Sequence, residues 1–216
     1  MSYDILLFID WICKCMIYQS HQLSEALAMI TQEDVIVFPT DTVYGIGASI
    51  HSPNALDKIF EIKNRPTEKS LIVLCANEEQ LEKIVGPLSV EVKKLIDAFL
   101  PGGLTLILNC YMPLSNEITR GKQTIGVRIP DHPLALKLLS ELGPLATTSA
   151  NVSGEVSPTR VDVDNPVIHR VDYVFDDGET KAQIPSTILD CTTSEFKILR
   201  EGAISLEEIQ KVLHKK

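Results

Sequence analysis

Apolar positions along this chain change period several times, and the changes mark its elements. Leu23, Ala26, Leu27 and Ile30 recur at helical spacing, so a helix is expected from about Ser20. Val35-Ile36-Val37-Phe38 is a short unbroken apolar run stopped by Pro39, the pattern of a buried strand. Ser52-Pro53 opens the next helix, with Ser as N-cap and Pro in the first turn, and Leu56, Ile59, Phe60 and Ile62 fill its inner face. Residues 71–75 read as a strand and residues 77–85 and 89–99 as two helices, the second broken by Pro101-Gly102-Gly103. Strands are expected at 104–108 and 124–129, a helix at 133–142, and a short strand at 145–148. Late strands fall at 171–175, 186–190 and 196–199. Ser205 and Glu208 form a capping box for a last helix, whose end carries Lys211, His214, Lys215 and Lys216. The pattern predicts one α/β domain on a mixed sheet. A strict doubly wound order is not expected, because several strands follow one another with no helix between.

The first nineteen residues differ from the rest. Residues 5–9 and 11–18 are apolar but interrupted by Asp4, Asp10 and Lys14, and each uncharged stretch is shorter than the ~20 residues that span a bilayer. No basic region precedes them and no small-residue cleavage site follows, so a signal peptide is not expected. Residues 1–19 are read as an N-terminal extension and 20–216 as the domain, with Met16 as the natural start and residues 1–15 an addition to it. A hydrophobic fraction of 44% over 216 residues allows a substantial core. The net charge of −9 excludes a general nucleic-acid coat, so any anion site is a local exception to an acidic surface. The five cysteines, at 13, 15, 75, 110 and 191, are odd in number and irregularly spaced. That fits a reducing cytoplasm better than a disulfide framework. Cys13-x-Cys15 has no second Cys/His pair to complete a zinc site, and the five histidines show no metal-ligand spacing. No metal site on the protein and no membrane association are expected.

Against that acidic background, Lys63-Asn64-Arg65-Pro66-Thr67-Glu68-Lys69-Ser70 places three cations in a loop before a buried strand. This suits a multiply charged anion such as a nucleotide triphosphate, and equally describes a solvated loop. Pro39-Thr40-Asp41-Thr42-Val43-Tyr44-Gly45-Ile46-Gly47 follows the first strong strand and reads as a Gly-rich turn at a strand's C-terminal end, where open α/β sheets bind ligands. It is no dinucleotide fingerprint, and the chain has no Walker A pattern. Thr147-Thr148-Ser149-Ala150-Asn151-Val152-Ser153-Gly154 offers hydroxyls, an amide and backbone N–H groups to phosphate oxygens and a ribose. Ser149 lacks the flanking glycines of a nucleophile elbow, which argues against a hydrolase. Arg128 lies in an apolar strand and needs an anionic partner, either a bound carboxylate or an internal Asp or Glu. Arg200 raises the same question.

The segments PTDTVYGIGA, KNRPTEKSLIVL, FLPGGLTLIL, TIGVRIPDHPLA, TTSANVSGEVSPT, PSTILD and ILREGAI, in this order from about Leu23 to Arg200, resemble the YrdC/TsaC family of threonylcarbamoyl-adenylate synthases. The resemblance implies an α/β fold with a twisted mixed sheet, flanking helices and a concave, positively charged cleft. It implies that L-threonine, bicarbonate and ATP give threonylcarbamoyl-AMP and pyrophosphate, for threonylcarbamoyladenosine beside a tRNA anticodon. Mg²⁺ would accompany ATP, and a downstream threonylcarbamoyl transferase complex would take the product. The family's Lys-x-Arg falls on Lys63 and Arg65, and its Ser-x-Asn on Ser149 and Asn151, which gives the expected catalytic set. Arg65, Lys69, Thr124, Thr147, Ser149, Ser157 and Arg200 match ATP-contacting positions. Thr42, Arg128 and Ser186 match threonine-contacting ones. Leu74 stands where some longer members carry a threonine-contacting histidine, and the sequence resembles the short, single-domain type. Two other readings stay open: an RNA-binding module that uses the same basic cleft on tRNA, and a related carbamoyl-adenylate enzyme like the YrdC-like module of hydrogenase-maturation proteins.

Overall fold

Alternate side chains of the strands divide this molecule, because one sheet separates two unlike faces. The computed structural model describes residues 16–214. Cys13, Cys15, the rest of residues 1–15 and the two terminal lysines lie outside that range. The strands are β1 (Met16–Gln19), β2 (Ile36–Phe38), β3 (Gly45–Ser49), β4 (Ile72–Leu74), β5 (Leu104–Asn109), β6 (Thr124–Arg128), β7 (Leu145–Ser149), β8 (Tyr173–Asp176), β9 (Thr187–Asp190) and β10 (Lys197–Arg200). They pair in the order β1-β8-β2-β3-β7-β4-β6-β5-β9-β10. The β1–β8, β2–β8, β4–β6 and β5–β9 pairs are parallel, and the other five are antiparallel. The sheet is mixed, as the uneven spacing of helices predicts.

The helices are α1 (Leu23–Leu27), α2 (Pro53–Lys63), α3 (Glu78–Val85), α4 (Val90–Phe99), α5 (Asn116–Thr119), α6 (Pro133–Leu142) and α7 (Leu206–Leu213). Ser52, Asn77, Ser89 and Ser205 cap α2, α3, α4 and α7 by accepting a backbone N–H in the first turn. Asn64 ends α2 in the left-handed conformation, which turns the chain into the cationic loop.

On one face, Val73, Leu106, Val127, Ala146 and Leu189 pack with Leu56, Ile59, Leu81, Ile84, Leu95 and Ile209 of α2, α3, α4 and α7. Each fully buried aliphatic of this set contributes on the order of 1.5–3 kcal/mol. On the other face, Ile36, Phe38, Tyr173 and Phe175 of β2 and β8 lie under Ala26 of α1 and Leu134, Leu138 and Leu139 of α6. This second helical layer covers only part of the sheet. The rest of that face, from β7 to β10, stays open.

Several elements depart from the sequence reading: the short helix α5 has no counterpart in it, and two strands change the layout. Gly45-Ile46-Gly47 is not a turn: it begins β3, a fully buried strand between β2 and β7. A Cβ at Gly45 would stand 2.9 Å from Thr147 Cγ2, and one at Gly47 2.8 Å from Thr147 Oγ1. These glycines let three backbones close up rather than bend. Met16–Gln19 forms an edge strand beside β8, so the sheet begins four residues before the boundary placed at Ser20.

Candidate active site

The open part of the sheet is the floor of a cavity of about 550 Å³. One row of registered residues runs across five strands. Thr147 of β7 lies opposite Ile72 of β4, Ile72 opposite Gly126 of β6, Gly126 opposite Ile107 of β5, and Ile107 opposite Asp190 of β9. All five face the cavity, and Ser70, Leu74, Thr105, Thr124, Arg128, Ser149, Ser186 and Ile188 join them at period-two spacing. Gly126 keeps the middle of this floor low. A Cβ there would come 2.8 Å from Ile72 Cγ2 and 3.1 Å from Ile107 Cδ1.

Three arginines reach the cavity from separate elements, each held by the backbone. Arg65, in the loop after α2, donates from Nε to Lys69 O (3.2 Å), from Nη2 to Ser70 O (2.8 Å) and from Nη1 to Thr148 Oγ1 (3.2 Å). Two of its five N–H groups remain for a ligand. Burial lowers its pKa, and the nearby charge of Arg120 adds to that. Arg200 places Nε and Nη2 on Ser186 O at 3.1 and 2.8 Å. The register shift between Ile198 and Arg200 of β10 accompanies the presence of both Leu199 and Arg200 in the cavity wall.

Arg128 answers the question its sequence posed. It is 4% exposed, and its Nη2 donates to Asp41 Oδ1 at 2.5 Å, a carboxylate itself 7% exposed. Nε donates to Gly102 O at 2.8 Å and Nη1 to Thr42 Oγ1 at 2.9 Å. Burial lowers the pKa of this guanidinium, and the charge of Asp41 opposes the shift. The internal acid and the ligand carboxylate are therefore not exclusive: Asp41 balances the charge, and two N–H groups remain beside the cavity.

Of the residues matched to ATP and threonine, Thr42, Arg65, Lys69, Thr124, Arg128, Thr147, Ser149, Ser157, Ser186 and Arg200 share this one cavity. Lys63 and Asn151 do not line it. Lys63 is 1% exposed and donates from Nζ to Ser149 O at 2.5 Å and to Asn151 O. Burial, reinforced by Arg65, pushes its pKa down to about 7. Its own carbonyl accepts from Ser153 N at 2.9 Å. Asn151 Nδ2 donates to Val152 O and Glu155 O, which folds the loop on itself. Both residues shape the loop that carries Ser149 instead of presenting a charge or amide to a ligand. Sequence reasoning missed Thr40, Ser70, Thr105, Lys122, Thr148 and Asp190 in the wall. For the strand residues among them the signal was there: a hydroxyl or carboxylate at alternate positions of an otherwise apolar strand. Among the described residues no group of three or more His, Cys, Asp or Glu is placed to hold a metal ion, and no helix is long and apolar enough to cross a membrane.

Fold and cavity thus describe a mixed α/β protein with a small-molecule site on the open face of its sheet. Residues 28–202 match the Sua5/YciO/YrdC family model, described as telomere recombination, and the chain belongs to that family. It is 42% identical over 195 residues to the threonylcarbamoyl-AMP synthase of Bacillus subtilis, covering 89% of this chain and 56% of that protein. It is 41% identical over 191 residues to the threonylcarbamoyl-AMP synthase of Pyrococcus abyssi, covering 87% and 56%. The chain therefore spans somewhat over half the length of these curated relatives. The crystal structure of P. abyssi Sua5 complexed with L-threonine superposes with a TM-score of 0.84 at 36% identity, over 93% of this chain and 61% of that one.

Proposed function

We propose that this chain is an L-threonylcarbamoyladenylate synthase, a nucleotidyltransferase that converts L-threonine, bicarbonate and ATP into threonylcarbamoyl-AMP and pyrophosphate. One observation carries the reading. Side chains matched to ATP and side chains matched to threonine face a single cavity, in a chain whose relatives bear that enzyme's name. A cavity of about 550 Å³ falls in the range of small-molecule sites.

In this reading threonine's carboxylate takes the two N–H groups that Arg128 has left, with Thr42 and Ser186 on its other polar groups. Bicarbonate loses its hydroxyl group as hydroxide to give CO₂, threonine's neutral amine attacks that carbon to form an N–C bond, and the proton the amine sheds leaves with the hydroxide as water, giving a carbamate. A carbamate oxygen attacks the α-phosphorus of ATP, and a new P–O bond forms. The bond from that phosphorus to the bridging oxygen breaks, and pyrophosphate leaves with the electron pair. No protein nucleophile is needed, so the protein's work is positioning and charge stabilisation. Arg65 and Lys69 offset phosphate charge, Arg200 supports the nucleotide, and the hydroxyls of Thr124, Ser149 and Ser157 donate to phosphate or ribose, while Thr147, whose hydroxyl donates to Leu145 O, can accept from a ribose hydroxyl. Lys63 and Asn151 act as positioning residues for the Ser149 loop. No cluster among the described residues is placed to hold a metal ion, so Mg²⁺ would come with ATP and would add charge neutralisation to that of Arg65 and Lys69. The product would pass to a threonylcarbamoyl transferase complex in the cytoplasm that modifies tRNA.

The test is pyrophosphate release from ATP with and without threonine and bicarbonate. Release is expected to need both. Arg65→Ala is expected to lower it roughly tenfold to a thousandfold, the range for losing one electrostatic stabiliser. Full activity in that variant, or carbamoyl transfer that ignores threonine, would defeat the assignment.

A further inference from the structure

Lys122 is not among the residues that the family resemblance matches to ATP, yet it stands in the cavity wall. It occupies the exposed turn just before β6, as Lys69 occupies the exposed turn before β4. These strands are parallel neighbours with Ile72 opposite Gly126, so both lysines rise from the same end of adjacent strands. Arg65 enters at that end too, from the loop that leads into β4. Lys69 and Lys122 each donate a backbone N–H to a local carbonyl, Pro66 O and Thr119 O at 3.2 Å, and among the described residues neither forms an ion pair. Asp190, the one carboxylate in the cavity wall among the described residues, is on β9, with β6 and β5 between it and β4. Glu68 adjoins Lys69 in sequence but does not line the cavity.

An exposed lysine is ordinarily only solvated. What separates Lys122 from that case is direction. Arg128 lies at the far end of β6, four residues and about 13 Å from Thr124. Threonine held there brings its carbamate, and with it the α-phosphorus, toward the Arg128 end. Thr42 and Ser186, the other residues matched to threonine, lie at the Arg128 end, and Arg65, Lys69 and Lys122 lie at the opposite end of β4 and β6, so phosphates running along the floor from one end to the other would set the outer two beside the lysines. Arg65 has already given three of its five N–H groups to the protein. Arg65 and Lys69 together still leave the several negative charges of a pyrophosphate group under-neutralised, and Lys122 is a further cation in the wall at that end with no ion pair among the described residues. We propose that Lys122, together with Lys69, holds the two phosphates that leave as pyrophosphate. Its job would be to set the affinity for a triphosphate over a monophosphate, and this inference rests on the synthase reading.

Calorimetric titration of Mg-pyrophosphate and of AMP into the wild-type chain, Lys122→Ala and Lys122→Arg tests it. Lys122→Ala is expected to weaken pyrophosphate binding about three- to tenfold, the scale of one exposed charge contact, and to leave AMP binding unchanged. Lys122→Arg should restore it, and the apparent KM for ATP should follow the same order. Equal pyrophosphate affinity in wild type and Lys122→Ala overturns the proposal, as does an equal loss of AMP binding. The synthase reading fails separately: a wild-type chain that binds pyrophosphate through Lys122 yet releases none from ATP, threonine and bicarbonate would sink that reading and leave the anion site standing.

Discussion

Arg128 and Asp41 are each less than a tenth exposed and share a 2.5 Å charge-assisted hydrogen bond. Removing one partner of such a pair strands the other charge in a poorly solvated place, at a cost of about 3–5 kcal/mol. Asp41 Oδ1 would keep only the backbone N–H of Asp131, at 3.1 Å. Arg128→Ala therefore should lower stability and raise the threonine requirement at once, and activity alone would not separate the two effects. The paired variant Asp41→Asn with Arg128→Met removes both charges. Its urea midpoint is expected to recover most of what Arg128→Ala loses, while threonine saturation stays shifted to high concentration. A paired variant that saturates with threonine like the wild type would show that Arg128 serves the core alone. The sequence carried half of this. A cation inside Thr124-Ile125-Gly126-Val127-Arg128 demands an anion, but only the packed structure brings Asp41, eighty-seven residues away, to its Nη2.

At the scale of elements, legibility followed locality. Helices α2, α3, α4 and α7 could be read because their caps, Ser52, Asn77, Ser89 and Ser205, are signals within one turn. Strand β3 could not: its Gly45-Ile46-Gly47-Ala48-Ser49 has the composition of a turn, yet it pairs with β2 on one side and β7 on the other, and its glycines leave room for Thr147 and Phe38 on those neighbours. From residue patterns alone the cavity was legible only as separate polar residues in apolar strands, since the order β7-β4-β6-β5-β9 scatters its floor along the chain, and it was the family resemblance that gathered them into one cleft. Lys63 was recognised and misplaced for the same reason. A cationic residue beside Arg65 looks like a phosphate ligand, whereas its ammonium joins the end of α2 to the carbonyls of Ser149 and Asn151. That joint should titrate. Burial lowers the Lys63 pKa from 10.5 to about 7, so between those values the unfolded chain holds a proton that the folded chain has released. Stability rises with pH wherever the unfolded state binds more protons. The penalty is therefore full below about pH 7 and is relieved as pH climbs toward 10.5. Cys75 and Cys191, whose thiols burial pushes up to about 12, act oppositely above their ordinary value of 9.0, because the unfolded chain ionises first. His132, whose pKa burial lowers from its ordinary 6.5, adds a rise of the same sign at and below that value, so the clean window is about pH 7 to about 8.5. There the melting temperature of the wild type, measured relative to Lys63→Met, should increase with pH. A flat difference would mean that Lys63 keeps its proton throughout.

At the scale of the molecule, the net charge is −9, while Arg65, Lys69, Lys122, Arg128 and Arg200 share one cavity wall in which, among the described residues, Asp190 is the one carboxylate. A short polyanion and a long one experience that distribution differently. A nucleotide triphosphate that enters the cavity would meet the cations at contact distance, where water is partly excluded and screening is weak. A tRNA must also lay its backbone along the acidic exterior, and phosphate-driven affinity grows with the number of phosphates neutralised. The cavity offers only a few cations, and two of them, Arg128 and Arg200, are already tied to Asp41 and to Ser186 O. This distribution of charge suits a small anion held inside the cavity better than an RNA gripped along its backbone. In fluorescence anisotropy at physiological salt, a tRNA anticodon stem-loop is expected to bind no more tightly than the nonspecific range of roughly 10⁻⁴–10⁻⁶ M. Mg-ATP should compete with a labelled ATP analogue, and Arg65→Ala should weaken that competition. Stem-loop binding well below a micromolar, steeply salt-dependent and unchanged by Arg65→Ala, would instead locate the phosphate-binding surface outside the cavity and make RNA the ligand that this fold holds.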